Sequence, residues 1–317
     1  RTRKLSFQQL ARYDDILTGI LVDRVSFSPL VTLKVNTSYQ SISSEDQQSV
    51  ISTLQDFIKG KAELKSSSTS LGSDEEKVAF DLPGLKSFSA SLGSADEKVA
   101  FFRHMKQYLE MHLPDCPFEF SSTLRYTRTT YEAAITARQF IPKGKDIKYL
   151  CGTRAILTEL EKKGLGDIYN DFSIIETSRN QATSFLGGPV RFTNHDCKPN
   201  ARLTSFGISG IKIVAIRDIE IGEEITVSYA KDYFEGECLC KTCEGGMKNG
   251  WRQGPQYSRT PGDYCTESLH PGNHLQGHGA SSLLCLACEH HKNIYRFCWP
   301  KTRQESRTTH RKRARRC

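Results

Sequence analysis

Apolar positions along the first third of the chain recur at helical intervals. Leu5, Leu10, Ile16, Leu17, Ile20 and Leu21 predict one or two short helices, which Pro29 then interrupts. Residues 36–73 are rich in Ser, Thr and Gln. One helix is expected there, capped by Ser44, with Val50, Ile51, Leu54, Phe57 and Ile58 as its apolar stripe. A ten-residue repeat follows. Leu71–Phe80 matches Leu92–Phe101 at eight of ten positions, which is too few copies for a solenoid and reads as a local duplication. The second copy opens the stronger helix. Ser94 and Glu97 have the spacing of a capping box. Phe101, Met105, Tyr108, Leu109 and His112 form one stripe until Pro114 stops it.

From Phe118 the texture changes to short runs of β-branched and aromatic residues between turns. Strands are expected over Arg125–Thr130, Ala134–Phe140, Ile147–Leu150, Phe172–Glu176, Ile211–Ala215 and Glu224–Tyr229. Pro142–Lys145 and Glu220–Glu223 read as tight turns before strands. The chain then divides into a helical region with a Ser-rich insertion (1–115), a strand-rich domain (116–235), a cysteine knuckle (236–250) and a tail without periodicity (251–317). The fold class is α+β. Within the tail, Trp251 reads as a packing anchor.

Charge and cysteine placement sharpen this division. The chain has 317 residues and a net charge of +8, but residues 301–317 carry eight basic residues and one acid, leaving the body close to neutral. Such a tail reads as a contact for DNA, a nuclear-import signal or a solvated end. The longest apolar stretch, Ile16–Val22, is far short of the roughly 20 residues that a membrane-spanning helix needs, so no membrane partner is expected. No signal-peptide pattern is visible either. The 11 cysteines cluster: Cys238, Cys240 and Cys243 lie within six residues, and Cys285, Cys288 and Cys298 within fourteen. Spacing of the C-x-C-x-x-C kind argues for metal thiolates in a reducing compartment rather than for disulfides.

The densest constellation is Arg191-Phe192-Thr193-Asn194-His195-Asp196-Cys197-Lys198-Pro199-Asn200. Gly222-Glu223-Glu224-Ile225-Thr226-Val227-Ser228-Tyr229 follows it, then Cys238-Leu239-Cys240-Lys241-Thr242-Cys243. Each is modest evidence alone. In this order they resemble the SET-domain protein lysine methyltransferases, whose central motif, C-terminal motif and zinc-binding post-SET segment they match in turn. Leu113–Glu119, Lys148–Gly152 and Asn170–Ile174 are similar to the fungal form of the class that methylates lysine 20 of histone H4. Cys285–Glu289 and Trp299–Thr302 also look like the fungal members.

The resemblance implies short β-sheets with a pseudoknot, an N-terminal helical region and a zinc-binding post-SET segment. It implies S-adenosylmethionine as methyl donor and assigns roles residue by residue. Tyr229 lines the place where lysine and cofactor meet, and its hydroxyl orients the amine. Asn194 and His195 contact the cofactor, as do Tyr126, Thr127, Arg128, Thr129, Ala133 and Arg179. The usual G-x-G near the domain's start is missing, and Arg125–Ala134 stands in its place, as in the histone H4 class. Phe172 and Ser173 line the substrate channel. Cys197, Cys238, Cys240 and Cys243 hold one structural zinc. Phe185-Leu186-Gly187-Gly188-Pro189 carries one glycine more than that class, which is expected to shift the cofactor loop.

The chemistry fits the residues. A free lysine has a pKa near 10.4, so fewer than about one in a thousand is a neutral nucleophile at pH 7. A narrow aromatic-walled channel desolvates the ammonium and aligns the nitrogen with the methyl group. The expected partners are the histone H4 tail in nucleosomes and DNA, the latter through residues 301–317, in the nucleus and on the chromosome. Two alternatives stay open: a decayed SET-like zinc protein that binds chromatin, and a methyltransferase with a non-histone lysine substrate. A second metal site built from Cys285, Cys288 and Cys298 with His290 and His291 lacks a clear upstream half, for which only Cys265, His270, His274 and His278 are available.

Overall fold

The computed structural model describes residues 5–23, 50, 52–60, 81–113, 115–123, 132–167, 173–177, 182–229, 238 and 240–246. The first copy of the repeat, the expected strand Arg125–Thr130, Trp251, the second cysteine cluster and the basic tail lie outside them.

Helix α1 spans Phe7–Thr18 and runs on as a π-helical turn over Gly19–Asp23. Ser6 caps it, accepting from the Gln9 N–H while the Gln9 side chain accepts from the Ser6 N–H. Its inward face is Leu10, Tyr13, Asp14, Ile16, Leu17 and Thr18. Helix α2 covers 52–60, and Val50, Leu54 and Phe57 are buried as their spacing predicts. Helix α3, Pro83–Ser91, begins on its proline, where a missing N–H costs nothing. Helix α4, Ala95–Glu110, is the one predicted from the second repeat copy. Ser94 caps it through the Glu97 N–H, and the Glu97 carboxylate accepts from the Gly93 N–H at 2.9 Å. All five residues of its predicted stripe are buried.

The strands follow. β1 (Phe118–Thr123) pairs antiparallel with β2 (Glu132–Ala137). β3 (Asp146–Ile156) leads into helix α5 (Glu159–Asp167), then β4 (Ile174–Thr177) and β5 (Ala182–Gly187). A 3-10 turn, Pro189–Phe192, introduces the short strand β6 (Asn194–His195). β7 (Ala201–Phe206) and β8 (Gly210–Ala215) form a hairpin. β9 (Thr226–Val227) and the short helix α6 (Lys241–Gly246) complete the described elements. The main sheet is antiparallel, in the order β4-β5-β3-β8-β7.

The expected turns hold. Gly144 and Gly222 sit at φ +81° and +85°, backbone that a side chain would strain. The predicted strand Glu224–Tyr229 reduces to two residues. The physical reason is that its segment changes partner. The Ala137 N–H donates to the Glu223 carbonyl and the Ile225 N–H to the Ile135 carbonyl, beside β2. Thr226–Val227 then pairs with β6 in parallel. That parallel pairing brings the Asn194-His195 motif beside the segment that leads to Tyr229.

One hydrophobic cluster joins the N-terminal helices to the strands. It runs from Tyr13, Leu17, Leu54, Leu85, Phe101 and Tyr108 to Ile135, Leu150, Val190, Phe192, Ile213 and Val227. Burying a side chain of this size contributes about 1.5–3 kcal/mol each. The helical region is therefore packed as part of the scaffold that carries residues 189–229. Among the described residues, no helix is long and apolar enough to cross a membrane.

Candidate active site and metal centre

Four cysteines converge where the knuckle meets the segment after β6. The Cys197 sulfur lies 3.8 Å from that of Cys238 and 3.5 Å from that of Cys243. Cys240 is fully buried, and the N–H groups of Cys197 and Cys243 both point at its sulfur at 3.4 Å. Burial raises the Cys240 thiol pKa, but those two donors together with the Cys238 and Cys243 thiols outweigh it and bring the thiol below its ordinary value. A zinc ion with Zn–S bonds of about 2.3 Å puts its sulfurs about 3.8 Å apart along each tetrahedral edge. The Cys197–Cys238 separation equals that figure and the Cys197–Cys243 separation is 0.3 Å shorter, so the donor set suits one closed zinc site.

His195 lies beside this cluster, its Nε2 3.4 Å from the Cys197 sulfur. On distance alone His195, Cys197, Cys238 and Cys240 also make a candidate quartet. The hydrogen bonds decide between the two sets. The Tyr229 backbone N–H donates to His195 Nδ1 at 3.1 Å. A neutral imidazole that accepts at Nδ1 carries its proton on Nε2, which then has no lone pair for a metal and can donate to the Cys197 sulfur. Burial holds the His195 pKa below the ordinary imidazole value, against the raising effect of Asp196. His195 thus links the cluster to Tyr229, and Cys243 remains as the fourth sulfur.

Asp196 ties the knuckle in a second way. Its carboxylate accepts from the Thr242 hydroxyl at 2.5 Å and from the Lys198 N–H at 2.8 Å. Asn200, almost fully buried, stitches the two motifs together. Its amide donates to the Glu223 carboxylate and the Glu224 carbonyl, and its Oδ1 accepts from the Thr226 N–H at 2.9 Å.

Asn194 opens β6 and Tyr229 follows β9 by two residues. The Tyr229 hydroxyl donates to the Thr193 carbonyl at 2.7 Å, and its ring lies 5.6 Å from the His195 ring. With its proton committed, the phenol oxygen offers only lone pairs to anything that enters. Asn194 spends both amide hydrogens, one on the Ala133 carbonyl at 3.1 Å and one on the Glu224 carboxylate at 3.0 Å. Its Oδ1 is the atom left to accept, and among the described residues none donates to it. A half-buried free acceptor suits the ammonium of an amino-acid-like ligand such as S-adenosylmethionine.

The structure therefore brings Ala133, Asn194, His195 and Tyr229 together, and places the four cysteines next to them. Tyr126, Thr127, Arg128, Thr129, Phe172 and Arg179 lie outside the described residues. Ser173 is described and buried, immediately before β4.

Sequence reasoning missed the group that holds Ser173. Asp14, on α1, is completely buried. It accepts from His104 at 2.9 Å, Tyr108 at 2.5 Å, the Gly188 N–H at 2.6 Å and the guanidinium of Arg191. Burial pushes the Asp14 carboxyl up, but Arg191 and the other donors overcome it and hold the group well below the carboxylate range. The signal was present. Asp14 shares the apolar stripe with Leu10, Leu17 and Leu21, and an acid on such a stripe needs partners. Close packing around this group explains the glycine pair. Gly188 sits at φ +97°, and a Cβ there would meet the Gln107 Oε1 at 2.5 Å and the Gly152 Cα at 2.9 Å. A Cβ on Gly187 would press on Asp14 Oδ1 at 3.0 Å and Leu10 Cδ1 at 3.2 Å. Gly187 thus admits α1 and Gly188 admits α4 and β3, while Asn194 and His195 pair with Thr226 and Val227.

Comparison with known proteins agrees with this geometry. Residues 132–230 match the SET domain family. The chain is similar to the histone-lysine N-methyltransferase set9 of Emericella nidulans, with 44% identity over 264 residues, covering 81% of this chain and 40% of that protein. The protein of the same name from Neurospora crassa is 41% identical over 255 residues, covering 80% of this chain and 32% of its own length. That from Aspergillus fumigatus is 45% identical over 257 residues, covering 79% and 39%. The chain spans two fifths or less of the length of these relatives.

Proposed function

Residues 132–230 of the chain belong to the SET domain family, and from that premise we propose that the protein is an S-adenosylmethionine-dependent histone-lysine N-methyltransferase. The observation that carries the proposal is the meeting of Tyr229, His195 and Asn194 at the β6–β9 pair, next to four convergent thiols. The similar fungal proteins bear histone-lysine N-methyltransferase names.

In this reading each residue has a task. S-adenosylmethionine, when bound, supplies a sulfonium methyl group to a neutral amine. Asn194 Oδ1 and the backbone around His195 bind its amino-acid end, with Ala133 fixing the Asn194 amide. The Tyr229 oxygen accepts an N–H of the substrate lysine and so turns the nitrogen lone pair toward the methyl group. Ser173 and Phe172 line the lysine channel. Tyr126, Thr127, Arg128, Thr129 and Arg179 complete the cofactor contacts. Cys197, Cys238, Cys240 and Cys243 hold a structural zinc, with no position left open for water.

The substrate we propose is lysine 20 of the histone H4 tail in nucleosomes, in the nucleus and on the chromosome. Its support is the match of Leu113–Glu119, Lys148–Gly152 and Asn170–Ile174 to that methyltransferase class. The test is transfer of labelled methyl to nucleosomes and to an H4 peptide, with mass spectrometry of the modified lysine. Modification at another histone lysine would overturn the site; no transfer to any histone would overturn the activity.

The basic segment 301–317 is proposed as an appended DNA contact. Its deletion is expected to weaken nucleosome binding and flatten its salt dependence, while methylation of the short peptide stays unchanged. Equal loss on both substrates would place the segment in the fold instead.

A further inference from the structure

The Asp14 carboxylate leads to the proposed lysine channel through one side chain. Arg191 gives Nη1 to Asp14 and Nε to the Ser173 hydroxyl oxygen, the latter at 2.9 Å. Both charged partners are out of water: the Arg191 side chain is 5% exposed and that of Asp14 0%. Asp14 is in turn clamped by His104 and Tyr108, one turn apart on α4, and by the Gly188 N–H. Tyr108 is itself steadied by the Thr18 hydroxyl at 3.3 Å. The far end of the relay is equally fixed. The Ser173 carbonyl accepts from the Leu186 N–H at 2.8 Å, which seats the residue on β5.

Arg191 lies two residues before Thr193, whose carbonyl receives the Tyr229 hydroxyl. The hydroxyls of Ser173 and Tyr229 are thus both hung on the single rigid turn Pro189–Phe192 and the residue after it. A guanidinium is suited to this task because its planar fork makes two bonds in fixed directions. A lysine in its place can keep the ion pair but cannot reproduce the second bond.

We propose that Arg191, anchored by Asp14, is a positioning residue that holds the Ser173 hydroxyl at the lysine end of the channel and so governs how many methyl groups the lysine receives. The inference rests on the proposed function, because it takes Ser173 as a channel wall. The space beside the amine depends on where that hydroxyl sits, and each added methyl needs room the previous state did not. Releasing Ser173 shifts that wall without touching cofactor or zinc ligands. The N-terminal helix thereby takes part in the reaction's outcome as well as in the core.

The test is a double-mutant cycle on the full chain with the H4 peptide. Arg191→Lys, Asp14→Asn, Ser173→Ala and the two pairs with Ser173→Ala are compared for mono-, di- and trimethyl product, kcat and KM. Arg191→Lys keeps a charge opposite Asp14, so it serves if Asp14→Asn fails to fold. Arg191→Lys and Ser173→Ala are expected to shift the product distribution in the same direction. Each is expected to lower kcat about tenfold, with KM for the cofactor within about twofold, as for a small misplacement near a reacting centre. In the Ser173→Ala background, Arg191→Lys is expected to add nothing further to either readout. Additive effects, or an unchanged product distribution with only a lowered melting temperature, overturn the relay and leave the activity standing. A wild-type chain that methylates no histone lysine overturns both.

Discussion

Replacing Tyr229 by Phe is expected to reduce methyl transfer by about two to three orders of magnitude, with the fold intact. The ring stays, so its packing against His195 is preserved. What disappears is one oxygen, whose proton is held by the Thr193 carbonyl at 2.7 Å. That bond makes the oxygen a pure acceptor for the incoming amine. Without it nothing fixes the amine's hydrogens, and the lone pair samples directions away from the methyl group. Stability suffers less. The Thr193 carbonyl loses one donor, which costs about 1–3 kcal/mol at a buried group. The check is kcat and kcat/KM together with thermal melting and cofactor affinity. Equal falls in kcat and kcat/KM with unchanged cofactor affinity are expected, the pattern of an interaction made in the transition state. A Tyr229→Phe variant that turns over like wild type would remove Tyr229 from the chemistry.

The Tyr229 site was legible in the sequence because its parts are contiguous words. Asn194-His195, Glu223-Glu224 and Cys238-x-Cys240 each keep their local spacing, and their order in the chain implies their meeting. Helix α4 was legible for a similar reason. One apolar face, a cap at Ser94 and a stop at Pro114 all agree. Strand β5 was not anticipated. Ala182–Gly187 lies inside the sheet between β4 and β3, with α1 against its end, so nearly every position is buried and no alternation appears. Helix α5 was hidden by Gly164 and Gly166, which lower helical propensity in a nine-residue segment. The Asp14 relay was illegible for a different reason. Its partners His104, Tyr108, Gly188 and Arg191 lie 90 to 177 residues away. Local pattern exposes the acid as misplaced but cannot name what satisfies it. The additional glycine shows the same limit. In sequence Gly187-Gly188 looks like one glycine too many; in space Gly187 leaves room for Leu10 and Asp14 of α1, and Gly188 for Gln107 and the β3 backbone.

The second large effect is expected at the cysteine cluster. Cys240→Ser should lose bound zinc and cofactor affinity together. Cys240 is the buried member, with two backbone N–H groups aimed at its sulfur. One of those N–H groups belongs to Cys197, which stands two residues from His195. Cofactor affinity is therefore tied to the metal through short covalent steps. His195 Nε2 faces the Cys197 sulfur while Nδ1 holds the Tyr229 N–H, and Thr242 of the knuckle holds Asp196. Without the metal, the described residues leave those few hydrogen bonds to hold α6 beside β6. A structural zinc contributes apparent binding energy of about 10–16 kcal/mol in small domains, far more than such bonds can replace. A loss of about 10- to 100-fold in S-adenosylmethionine affinity is expected, the range seen when a metal site's supports are removed. Metal content by mass spectrometry and cofactor binding by calorimetry are the measurements. Cys151→Ser is the control, because burial pushes that thiol up to about 12 and it lies on β3, away from the cluster. It should retain full zinc content. A metal-free Cys240→Ser chain that binds the cofactor as tightly as wild type would break the link between knuckle and pocket. The zinc would then be holding only the C-terminal segment, and the positions of His195 and Tyr229 would have to be fixed by the β6–β9 pair alone.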